Sequence, residues 1–97
     1  MIKQMHMYRF EESVKLADAL RALLLSVVAT EGLFGRPVQR TDTEHVVNES
    51  FNTIFVEAET AVGCVINIIF TAFIKRAFGG AFDVRQVGMF VSGEGGR

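Results

Sequence analysis

The segment from Thr60 to Phe78, TAVGCVINIIFTAFIKRAF, constrains the fold more than any other part of the chain. Its apolar positions follow a helical period. At about 100° per residue, Ala61, Val62, Val65, Ile66, Ile68, Ile69, Phe70, Ala72, Phe73 and Ala77 fall on one arc of roughly 200°. A surface helix needs a stripe of only about 100°. The surplus therefore has to be covered by a second helix, another subunit or a ligand. The uninterrupted apolar run, Thr60 to Ile74, lies between Glu59 and Lys75 and contains Asn67 and Thr71. Spanning a bilayer takes about 20 residues, so a buried core helix is the expectation rather than a membrane span.

A chain of 97 residues makes one domain, here residues 1–91, followed by a Gly-rich tail at 92–97. Phe occurs nine times, Tyr once and Trp never, which implies a dry core with few polar handles. The ten basic residues are scattered over a chain of net charge −1. They form no basic stripe with interleaved aromatics, so nucleic acid is not the expected partner. Cys64 is the one cysteine. A lone cysteine excludes an intrachain disulfide and a cysteine zinc cage, and within an apolar helix it is expected to be a buried small hydrophobe. The first residues, MIKQMHMYRFEES, lack the apolar region of a signal peptide, which makes the cytoplasm the expected location.

The remaining elements follow from periodicity. Ile2 to Phe10 is compatible with a strand carrying Met5 and Met7 on one face and His6, Tyr8 and Phe10 on the other. Glu11 to Thr30 is predicted to be a helix burying Leu16, Leu20, Leu23, Leu24 and Val27, with Gly32 as its stop. Val38 to Val47 is expected as a strand, with a short helix over 42–48 as the rival because Thr41–Glu44 fits a capping box. Asn48 to Ser50 then forms a turn. Phe51 to Ala58 is predicted to be a strand with large apolar side chains on both faces. Thr60 caps the long helix and Gly79–Gly80 ends it. Phe82 to Val91 is the last strand, and a slip in its apolar phase suggests a bulge near Gln86.

The resulting order, β-α-β-β-α-β, is the split βαβ plan of the ferredoxin-like α+β sandwich. Two helices lie on one face of a four-stranded antiparallel sheet.

No Ser-His-Asp order, phosphate loop, dinucleotide fingerprint or cysteine-pair metal motif occurs. No catalytic residue, cofactor or metal is expected, and an enzyme is the less favoured class. His45 beside Asp42 and Glu44 suits a solvated strand better than a general base. A site shared with His6 would need the two strands brought together. Glu57 and Glu59 are better explained as favourable charge at a helix N-terminus than as an acid–base pair. Asn67 and Thr71 lie one turn apart, in line with Thr60, Gly63 and Cys64. This small, polar stripe could line a pocket, but close packing of the first helix through Ala19, Ala22 or Ala29 is the favoured reading.

Two functions remain. The first is a small oligomeric interaction module, a homodimer by preference, associating through Ile66, Ile69, Phe70 and Phe73 or through the Phe51/Phe55 side of the sheet. The second is a small-molecule-binding protein or cofactor-free enzyme whose apolar pocket includes His45, Glu57, Asn67 and Thr71. A closed cavity touching two of these residues favours the second reading, and a flat apolar patch the first.

Overall fold

The computed structural model describes residues 2–39 and 42–90. Strand β1 (Ile2–Phe10) leads to helix α1 (Leu16–Phe34), strand β2 (His45–Asn48), a 3-10 turn (Glu49–Phe51), strand β3 (Thr53–Glu57), helix α2 (Ala61–Phe78) and strand β4 (Phe82–Phe90). The sheet order is β2-β3-β1-β4 and every pairing is antiparallel. This is the split β-α-β-β-α-β arrangement of the ferredoxin-like class.

Alternation along the strands separates two faces. Tyr8 and Phe10 from β1 and Ile54 and Val56 from β3 meet Val62, Ile66, Phe70 and Ile74 of α2 and Ala19, Ala22 and Leu23 of α1 in one core. Tyr8 stacks edge-on against Phe70 with ring centroids 4.7 Å apart. Met5, Met7, Phe55, Val87 and Met89 belong to the other face by register, and Met5 is buried there in the central strand.

Several boundaries differ from expectation. Helix α1 starts at Leu16, not Glu11, because Asn52 Nδ2 donates to the carbonyls of Phe10, Glu11 and Val14 and ties those residues into a turn. It runs through Gly32 and stops at Gly35, whose φ of 72° is the left-handed conformation that favours glycine. Strand β2 is four residues long, so strand prevails over helix but covers only the end of 38–47. Thr41 of the capping-box alternative lies outside the described residues, as do Val91 and the 92–97 tail. Phe51 belongs to the 3-10 turn, capped by Asn48, and not to β3. Strand β4 has no bulge: its nine residues pair in unbroken register with β1, from Phe82 opposite Phe10 to Phe90 opposite Ile2. The slip in apolar phase instead marks a strand whose helix-side residues Val84, Gln86 and Phe90 are exposed, so no buried face imposes alternation.

The largest correction concerns α1. Its buried side consists of Ala19, Ala22, Leu23, Ser26 and Thr30. Ser26 and Thr30 can be buried because their hydroxyls donate to the carbonyls four residues earlier, at 2.8 and 2.7 Å. Leu24, expected in the core, is 62% exposed, alongside Leu25 at 55%, Val28 at 55% and Leu33 at 71%. Leu23 is buried and Leu16, Leu20 and Val27 pack partly buried against the core, as expected; Leu24 is the member of that stripe that faces out, beside Leu25 and Val28.

Candidate functional site

The polar residues singled out on α2 face the sheet, not α1. Tyr8, fully buried, donates from its hydroxyl to Asn67 Oδ1 at 2.5 Å and lies 3.3 Å from Thr71 Oγ1. Asn67 Nδ2 donates to the carbonyls of Glu57 at 3.0 Å and Gly63 at 2.8 Å. One buried amide thus joins β1, the end of β3 and the first turns of α2. Close approach makes this possible: a side-chain carbon on Gly63 would lie 2.5 Å from the Glu57 carbonyl oxygen and 2.6 Å from its Oε1. The stripe is small because the strand end needs the room.

Glu57 is buried at this junction. Its carboxylate accepts from the backbone N–H of Glu59, and from the N–H and hydroxyl of Thr60, both at 2.7 Å. Burial pushes its pKa up, but these donors outweigh burial and hold it below the ordinary carboxylate value. Thr43 Oγ1, buried nearby and short of a well-formed hydrogen bond, adds to the effect. Thr60 Oγ1 in turn accepts from Gly63 N at 2.9 Å. Glu57 is therefore a fixed anion at the start of α2, where its charge is favourable. Glu59 does not pair with it: Glu59 Oε2 accepts from Gln4 N.

A groove of about 480 Å3 opens beside this network, lined by His6, Ala58, Cys64, Asn67, Ile68 and Thr71. It brings together two expected pocket residues, Asn67 and Thr71, adds His6, and leaves out Glu57 and His45. Its chemistry is limited. Burial raises the Tyr8 pKa to about 12 despite the Thr71 hydrogen bond, so the phenol is neutral at ordinary pH. The Asn67 amide is fully engaged. Cys64, expected to be buried, is exposed, and its thiol points to the Ala58 carbonyl at 3.4 Å.

His45 lies elsewhere, exposed on β2, in a separate groove with Val27, Val38, Gln39, Thr43 and Glu44. The carboxylates beside it in sequence are already occupied. Asp42 holds Arg36 through two contacts, at 2.7 and 3.0 Å, which together with the Gln39 N–H lowers its pKa to about 2. Glu44 pairs with Lys3 at 2.7 Å. His6 and His45 share a face because both oppose Val56, from opposite sides. They are two strand spacings apart, about 10 Å. Among the described residues no group of three or more His, Cys, Asp or Glu side chains is placed to hold a metal.

The expected interface residues also need correction. Ile66 and Phe70 are buried within the subunit and offer nothing to a partner, while Ile69 and Phe73 are half-buried. Helix α1 packs along α2 and covers much of the wide arc. What α2 leaves exposed is the Cys64, Ile68 and Ala72 side. By length and composition, Ala61–Phe78 is also long and apolar enough to cross a membrane. The 15-residue run read from the sequence underestimated it because the helix continues through Lys75 and Arg76. The outer side of α1 was missed. Its signal was present in the adjacent pairs Leu24–Leu25 and Val27–Val28, which put apolar side chains on more than one side of any helix.

Comparison of the chain with protein-family models, with curated proteins and with solved structures finds no match.

Proposed function

We propose that this protein is a small interaction module that works by associating through the outer face of α1, with a second copy as the first-choice partner. The observation that carries the reading is a second apolar side on that helix, left exposed in addition to the side that packs on the core. Ala19, Ala22, Leu23, Ser26 and Thr30 are spent on the core, while Leu24, Leu25 and Val28 share an outer side and are more than half exposed. Burying one such side chain contributes about 1.5–3 kcal/mol relative to leaving it exposed, and large apolar patches of this kind mark interaction surfaces. The ion pair of Asp18 and Arg21, 3.0 Å apart and exposed, supplies a polar margin. A cytoplasmic location belongs to the same proposal. It is supported by α2 committing Val62, Ile66, Phe70 and Ile74 to the subunit core, a role unlike that of a lipid-facing span.

The second reading, a small-molecule-binding protein or cofactor-free enzyme, is favoured by one observation: the His6–Cys64–Thr71 groove has the volume of a ligand pocket. It ranks second because the groove is open, with Ile68 exposed at its margin, and because Tyr8 and Asn67 already satisfy one another. Native mass spectrometry separates the two. A defined oligomer without bound mass supports the module, and a monomer retaining a small molecule supports the pocket.

A further inference from the structure

The two edges of the sheet are unequal. Strand β2 has four residues and runs into the 3-10 turn, whereas β4 presents nine residues in unbroken register. Natural edge strands are usually blunted by proline, bulges or inward-pointing charge. β4 has no proline and no bulge. Its helix-side face is also unroofed, with Val84 37% and Phe90 72% exposed. On its other face Asp83 and Arg85 form an exposed ion pair at 3.1 Å.

We propose that the occupant of this edge is β4 of a second copy, running antiparallel about a two-fold axis through Val84. The charges select the register. An axis at Val84 sets Asp83 opposite Arg85 of the second copy and Arg85 opposite its Asp83, two favourable cross-strand pairs. An axis at Asp83 or at Arg85 opposes like charges, and an axis at Gln86 leaves both charges facing apolar residues. The Val84 register sets Val84 against its own copy on the unroofed face. It also carries Gly88 and Met89 past Gly80 and Gly79, where neither glycine has a side chain to obstruct them. The product is a continuous eight-stranded sheet with all four helices on one side. This surface is distinct from α1, so the two associations fail independently.

The test is charge reversal in the Leu24→Asp/Val28→Asp background, which removes association through α1, read by sedimentation velocity. Across the seam Asp83→Arg puts cation against cation and Arg85→Asp puts anion against anion, each at two places; the parent and all variants also carry Arg9→Gln, because Arg9 of β1 stands opposite position 83 within the subunit. Each single variant is expected to weaken the dimer by about tenfold or more, and the double variant Asp83→Arg/Arg85→Asp to restore it. In a Cys64→Ser chain, Val84→Cys is expected to cross-link to its own copy under mild oxidation. A monomeric parent, singles that sediment like the parent, a double variant no stronger than the singles, or no cross-link would each overturn the proposal.

Discussion

Tyr8 and Asn67, fifty-nine residues apart in the chain, share a buried hydrogen bond of 2.5 Å that fixes where α2 crosses the central strand. The hydroxyl has a single good acceptor, and the amide spends its remaining capacity on the backbone of β3 and α2. The one tyrosine in a chain with nine phenylalanines stands where a polar handle is needed. Replacing Tyr8 with Phe keeps the ring against Phe70 but strands the Asn67 oxygen. The expected cost is about 1–3 kcal/mol by chemical denaturation. An unchanged midpoint would mean that the network does not hold α2 in place. The raised Tyr8 pKa adds a second signature. The folded state keeps its proton to about pH 12 whereas the unfolded chain gives it up near 10, so wild type loses stability as pH rises through this window and Tyr8→Phe lacks that component.

Gly63 and Gly32 should respond to alanine with opposite signs. Both lie within helices, where Gly→Ala ordinarily stabilises by up to about 1 kcal/mol. At Gly32 nothing lies within 4 Å of the added carbon, so the ordinary gain is expected. At Gly63 the carbon would drive into the Glu57 carbonyl and carboxylate, and a loss of about 1–3 kcal/mol is expected. Thermal melting of the two variants checks the pair. A stabilised Gly63→Ala would show that α2 and β3 can separate without cost.

Glu57 should give the fold an acid-sensitive component. Its folded pKa is depressed below the usual 4.5. The stability it supplies is therefore complete above that value and is lost as pH falls through the lower, folded one. Asp42 acts in the same direction, down to about pH 2. Urea midpoints between pH 6 and pH 3 should fall less for Glu57→Gln than for wild type. Parallel curves would remove Glu57 as a source of acid sensitivity.

Cys64 should label with a thiol reagent in the native state at a rate close to that of the unfolded chain, because it is exposed at the groove margin. Strong native protection, read by mass spectrometry, would instead show the groove to be covered.

The element order was legible because each junction carries its own chemistry: Thr60 before α2, Gly79 after it, and Asn48 at the turn. The full width of the buried side of α1 was not. Leu16, Leu20, Leu23 and Val27 do pack on the core, but Leu24 at the edge of that stripe faces out, and Ser26 and Thr30 enter the core. Their burial depends on hydroxyls satisfied by their own backbone, which apolar periodicity does not detect. On α2 the reverse held. Asn67 and Thr71 were visible as polar positions on an apolar helix, but their partner, Tyr8, comes from the far end of the chain. Burial of Ile66 and Phe70 follows from that same contact.

The most direct test of the proposed function is sedimentation equilibrium of wild type against Leu24→Asp/Val28→Asp. Both side chains are exposed within the subunit, so the variant is expected to melt within about 0.5 kcal/mol of wild type. Wild type should sediment as a dimer or larger at micromolar concentration, and the folded variant should lose that step of assembly. A wild-type monomer at every concentration, or a variant that assembles as wild type does, would contradict association through α1.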